Sequence, residues 1–176
     1  MGFKGILNYN DIEIMCGSYR ELEEQDRSTA LTEWLADYCE YATAYADLMK
    51  KAGIRADFLF DSLQGIPVGI GEFHKDNLKN GMTPQESFEL VKTQIAGYLM
   101  FTLRNGLFAD GWRADFEVND DNSGLCLNVD DGAGESFVLD IPGLVNKAFR
   151  YIRLEDGDIF CNAAAVMNVL LKGWEE

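Results

Sequence analysis

Thirty carboxylates, fifteen cations and a single histidine, His74, bound the chemistry open to this 176-residue chain. One imidazole cannot supply a His-rich zinc site. A Ser-His-Asp triad would have to be built on His74, which stands between Phe73 and Lys75 in what reads as an exposed loop. No serine or cysteine lies in a G-x-S-x-G setting, and Cys16 before Gly17-Ser18 is the only faintly motif-like thiol. Cys16, Cys39, Cys126 and Cys161 are far apart and form no C-x-x-C pair, which suits reduced thiols in a cytoplasmic protein. Gly65, Gly69 and Gly71 lack the G-K-[ST] of a phosphate loop. Asn119 to Gly124 has the glycine of a calcium loop at its sixth place. Its twelfth is Asp130 rather than glutamate, and Asn119 stands where the first aspartate belongs. A hairpin turn is the expected reading, with weak divalent-ion binding by Asp120, Asp121 and Asp140 as the alternative. Paired carboxylates could do acid–base work, but among thirty acids some pair is inevitable. No cofactor, resident metal or catalytic residue is therefore expected.

The placement of the acids is more informative than their number. Residues 107–141 hold nine carboxylates and one cation, Arg113, and so carry eight of the fifteen net negative charges. Within them Trp112, Ala114, Phe116 and Val118 alternate with Arg113, Asp115, Glu117 and Asn119. Leu125, Leu127 and Val129 alternate with Cys126, Asn128 and Asp130, and Phe137, Leu139 and Ile141 with Ser136, Val138 and Asp140. Period two on three successive runs predicts an antiparallel meander over about 112–141 with one buried face. Pairing Glu117 with Cys126 would put Asp115, Glu117, Asn128, Asp130 and Asp140 on the other face.

Helices must carry the remaining core. Residues 28–52 place Leu31, Leu35, Cys39, Ala42, Ala46 and Met49 on one stripe, with Trp34, Tyr38, Tyr41 and Tyr45 beside it. Glu33, Asp37 and Glu40 fall on the opposite side. Thr83-Pro84-Gln85-Glu86 predicts a capped helix start, followed by a helix to about Asn105 that is apolar nearly all round in its second half. A short helix is expected from Pro142, a break at Glu155-Asp156-Gly157-Asp158, and a last helix over about 159–172. Residues 3–16 read as a possible N-terminal hairpin turning at Asn8-Tyr9-Asn10-Asp11. Residues 54–82 read as the least regular part: Phe58, Leu59, Phe60 and Leu63 as a helical turn or a short strand, and the stretch punctuated by Gly65, Pro67, Gly69 and Gly71 as an extended segment or ordered loop. The expected class is α+β in a single domain, with helices packed on one face of a small antiparallel sheet.

A surface of one sign attracts the other. The sequence therefore suggests a non-enzymatic inhibitor whose acidic face mimics nucleic acid and engages a basic nucleic-acid-binding protein. Small acidic inhibitors of restriction or CRISPR nucleases from phages and mobile elements offer the analogy, one of charge and size only. The expected contact residues are Asp115, Glu117, Asp120, Asp121, Asp130, Asp131 and Asp140, with Glu33, Asp37 and Glu40 as a second patch. A pI near 4.3 argues against direct contact with nucleic acid or an anionic membrane. The alternatives are a small homodimeric structural or regulatory protein, joined through an aromatic helix face, or a small enzyme with a pocket under the Gly-rich 65–71 segment.

Overall fold

The computed structural model describes residues 5–173. Residues 3 and 4 of the expected N-terminal hairpin lie outside that range. Residues 5–8 precede any regular element, and the rest of that segment is helical rather than extended, in α1, Tyr9–Glu24. Asn8 accepts a hydrogen bond from the Asp11 N–H while Asp11 accepts one from the Asn8 N–H, so the turn-like residues form a capping box. Ile12, Met15 and Tyr19 are buried at helical spacing, whereas Ile14, needed for strand alternation, is 69% exposed.

Helix α2, Ala30–Lys51, starts at a reciprocal Thr29–Thr32 cap and buries Leu35, Tyr38, Cys39, Ala42, Tyr45 and Met49, as expected. Of the two readings of the segment around Phe60 and Leu63 the helical turn holds, as a 3₁₀ turn, Phe60–Gly65, whereas the Gly-punctuated stretch expected to be extended or a loop is helical, in α3, Ile66–Lys79. Pro67 lies in the first turn of α3, where its missing N–H costs nothing. Gly69 is a packing residue: a Cβ there would stand 2.2 Å from the Tyr45 ring.

Helix α4, Pro84–Ala109, opens on the Thr83–Glu86 capping box and is buried along most of its length. It runs past the stop expected at Gly106, because Phe60 packs where a side chain at 106 would begin. The true end is Gly111, at φ +92°, where the Gly111 N–H reaches the Phe108 carbonyl and the Trp112 N–H reaches that of Leu107. Those two bonds are a Schellman motif.

Strands β1 (Arg113–Val118), β2 (Leu125–Asp130) and β3 (Ser136–Asp140) pair antiparallel in sequence order. Glu117 lies opposite Cys126, and Cys126 opposite Asp140, so the expected register holds. Leu125, Leu127, Val129 and Leu139 turn inward, and Phe116 meets Phe101 of α4 edge to face. After α5, Ile141–Phe149, the expected helix over 159–172 is replaced in part by a second hairpin. This pairs β4, Ile152–Glu155, with β5, Asp158–Cys161. Asp156 and Gly157 both adopt positive φ, a two-residue turn that suits Asp-Gly. Only then does α6, Ala163–Lys172, begin, capped by Asn162.

The result is α+β, with the helices on one face of the three-stranded sheet. Among the described residues no helix is long and apolar enough to cross a membrane.

Two substitutions probe the centre of this packing. A Cβ at Gly97 of α4 would sit 2.6 Å from the Tyr38 carbonyl oxygen of α2, and backbone cannot swing aside. Gly97→Ala is expected to lower stability by about 1–3 kcal/mol in urea unfolding, despite alanine's better helix propensity. Tyr45 Oη is buried without a hydrogen-bond partner among the described residues. Tyr45→Phe is expected to leave the urea midpoint unchanged or raise it, because it removes an unpaired polar atom and little volume.

Candidate functional site: the acidic outer sheet face

The register fixes a three-by-three grid on the outer side of the sheet, in which all positions but the buried Cys126 are exposed or half-buried. Its rows are Arg113–Asp130–Ser136, Asp115–Asn128–Val138 and Glu117–Cys126–Asp140. Four of these nine positions are carboxylates and one is a cation. Same-face neighbours along a strand lie about 6.8 Å apart. Asp115, Glu117 and Asp140 are exposed and Asp130 is half-buried. Val138, flanked by these polar positions, is 60% exposed, an apolar side chain in the outward register.

The two turns extend the charge. Asp120 and Asp121 occupy the β1–β2 turn, and Asp131 the β2–β3 turn at the opposite end of the sheet. Asp121 accepts from the Ser123 hydroxyl and N–H, which together hold its carboxyl below the usual range. Asp130 accepts from the Gly132 N–H, and Asp131 from the N–H groups of Ala133 and Glu135. Asn128 donates to Glu117, and Asn119 donates to Asp140 at 3.4 Å. Every one of these hydrogen-bond partners is neutral, and the cation Arg113 stands opposite Asp130 alone. The Asn119 side-chain oxygen accepts from the Ser123 and Gly124 N–H groups, which is turn chemistry. Among the described residues no group of three or more His, Cys, Asp or Glu side chains is placed to hold a metal ion.

The second patch is built differently. Arg20 of α1 reaches Asp37 at 2.8 Å and Glu23 at 3.0 Å, and also pairs with Glu40. Burial pulls the Arg20 pKa down, but the hydrogen bonds to Glu40, Asp37 and Glu23 outweigh it and raise the value. Asp37 and Glu40 thus join α2 to α1. Glu33 accepts only from the Ser28 hydroxyl, and its neighbour Trp34 donates from Nε1 to Asn122 Oδ1 at 3.0 Å. Tyr38, from the aromatic stripe, is buried with Tyr45, whereas Trp34 and Tyr41 are half-buried. The Tyr38 hydroxyl accepts from the Leu125 N–H, and burial raises its pKa to about 12.

His74, expected in an exposed loop, is buried in α3. Its Nε2 faces the Gly157 carbonyl at 2.8 Å, and a carbonyl only accepts, so Nε2 carries the proton. Nδ1 then accepts from the Ser87 hydroxyl at 2.8 Å, and Ser87 Oγ accepts from Asn77, which exchanges two hydrogen bonds with Gln94. The Ser–His pair has nucleophile chemistry, but Ser87 is fully buried. It pins the β4–β5 turn to α3 and α4. The signal missed in the sequence was His74 at helical spacing from Ile70 and Asn77.

The chain matches no family model, no curated protein and no solved structure.

Two outcomes follow. His74→Ala strands the Ser87 and Gly157 groups and is expected to cost about 2–4 kcal/mol in urea unfolding. On the sheet, burial first and then the charges of Glu117 and Asp140 hold the Cys126 thiol above its ordinary pKa. Glu117→Gln should lower that value, so Cys126 should react faster with a small methanethiosulfonate at pH 8, read by mass spectrometry. An unchanged rate would mean that Glu117 does not act on the thiol.

Proposed function

We propose that this chain is a non-catalytic binding protein that presents the acidic outer face of its sheet to a basic protein surface, as a nucleic acid would. The observation that carries this reading is the grid itself: Asp115, Glu117, Asp130 and Asp140 share one face with a single cation, Arg113, and with Val138 exposed on the edge strand. A basic groove evolved for a duplex meets closely spaced fixed negative charges. A folded face of carboxylates competes for it by charge, and an exposed apolar side chain among them adds contact that a phosphate backbone lacks. The fit is to a nucleic-acid-binding enzyme in the manner of a restriction or CRISPR inhibitor. Asp120, Asp121, Asp131 and Glu33 extend the contact, while Asp37 and Glu40 serve the α1–α2 junction.

The pocket expected under the 65–71 segment gains no support, because Gly65 and Gly69 are packed against Met49 and Tyr45.

The test is capture of basic proteins by the tagged chain from nuclease-treated lysate, at low and high salt, with duplex DNA as competitor. Capture should weaken steeply with salt and be displaced by DNA. The Asp115→Lys, Glu117→Lys, Asp130→Lys, Asp140→Lys variant should lose the partner while keeping the circular-dichroism spectrum and thermal midpoint of a folded protein. A folded variant that captures the same partner equally well overturns the reading.

A further inference from the structure

A cleft of about 590 Å³ opens beside the C-terminal half of α4, where Leu103, Gly106 and Leu107 are joined by Ile6, Leu59 and Phe60. That volume lies within the range of small-molecule sites. Ile6, Leu59 and Phe60 are 47%, 41% and 41% exposed, so three of the large apolar side chains left open to solvent converge on one cleft.

These side chains are anchored from beneath. The Leu7 N–H donates to Asn105 Oδ1 at 2.9 Å, and Asn105 Nδ2 donates to the carbonyls of Leu7 at 2.8 Å and Phe58 at 3.0 Å. One buried amide thus fixes the chain on both sides of the cleft, next to Ile6 and next to Leu59. Phe58 itself has φ +64°, a costly conformation for a bulky residue. It is over-determined: its N–H donates to the Tyr98 hydroxyl and its ring packs 4.8 Å from that of Tyr98. The left-handed residue buries its own ring and leaves the next two, Leu59 and Phe60, in the cleft. Gly106 completes the shape, since Phe60 lies 3.1 Å from where a Cβ would be.

The cleft's polarity is equally defined. Among the described residues its lining carries one carboxylate, Asp110, and one ammonium, Lys172, which balance in a chain of net charge −15. Its one side-chain amide, that of Asn105, is already committed to Leu7 and Phe58. Hydrocarbon complements such a lining, whereas a charged or hydrogen-bonding group gains nothing inside it.

We propose that this cleft binds the uncharged hydrocarbon portion of a small molecule, with any polar group of that molecule left at the rim beside Asp110 and Lys172. The proposal is independent of the acidic-face reading, because Asp115, Glu117, Asp130 and Asp140 are not part of the cleft.

The test is titration of the full chain with the n-alkanols from butanol to octanol, followed by calorimetry and by displacement of an uncharged fluorescent dye. Affinity should rise about fourfold per added methylene until the cleft is filled. Phe60→Glu and Leu59→Glu alter exposed positions, so each should keep the thermal midpoint and weaken octanol binding at least tenfold. The Asp115→Lys, Glu117→Lys, Asp130→Lys, Asp140→Lys variant should bind octanol as the parent does. Absence of alkanol binding, affinity that does not grow with chain length, or unchanged binding by both glutamate variants would overturn the proposal.

Discussion

The close approach of α2 and α4 at Gly97 is the contact on which the other layers depend. With no Cβ at 97, α4 lies against the Tyr38 carbonyl, and the next residue, Tyr98, stacks on Tyr45 with ring centroids 4.0 Å apart. The same approach places both faces of α4 in use. Tyr98 reaches down to Ser62 and Phe58, while Phe101 receives Phe116 of the sheet. Tyr38, one turn before Ala42 on α2, then ends at the Leu125 N–H and closes the start of β2 onto the helices. Gly124 answers this at the strand entrance, where a Cβ would meet the Tyr38 hydroxyl at 2.3 Å. A wider helix pair would move that hydroxyl away from the sheet and leave both groups buried and unpaired, which is costly.

The outer face inherits its geometry from this inner packing. A strand's side chains alternate, so the burial of Leu125, Leu127 and Val129 turns Cys126, Asn128 and Asp130 to the outer face, where Asn128 is exposed, Asp130 half-buried and Cys126 covered. A slip of one residue would bury Asp130 and Asn128 and expose three core aliphatics. The carboxylates therefore have no freedom of placement. The side-chain amides of Asn119 and Asn128 and the backbone of the two turns orient them further without cancelling their charge.

Elements whose signal is local periodicity were legible in the sequence: α2, α4 and the meander with its register. Elements that use one residue type for two purposes were not. Asn8 and Asp11 suit a turn and also a capping box, and only the burial of Ile12, Met15 and Tyr19 against α2 decides for the helix. Gly65, Pro67, Gly69 and Gly71 look like loop punctuation. The helix tolerates them because Pro67 sits in the first turn and Gly69 makes room for Tyr45, a residue distant in sequence. Asp156-Gly157 breaks a helix and also makes a hairpin turn, and the choice rests on Ile152 packing into the core. At the candidate site the acids were readable one by one. What separates Asp37 and Glu40 from the sheet carboxylates is Arg20, seventeen and twenty residues away in sequence and invisible to a helical wheel.

Solubility alone gives a poor account of where the charge lies. A net charge keeps a protein dispersed wherever on the surface it is placed, and carboxylates interspersed with cations would repel one another less. Here residues 107–141 carry more than half of the net charge on a fifth of the chain. On the grid, Arg113 is the one cation among four carboxylates. The register sets no two of these carboxylates directly opposite one another: Arg113 faces Asp130, and Glu117 and Asp140 stand on either side of Cys126 in one row. The inner face beneath them buries the aliphatic side chains of Leu125, Leu127, Val129 and Leu139. A surface that gathers four carboxylates with Val138 exposed on its edge strand has the composition of a contact face, with charge to steer an approaching basic partner and an apolar point to close on.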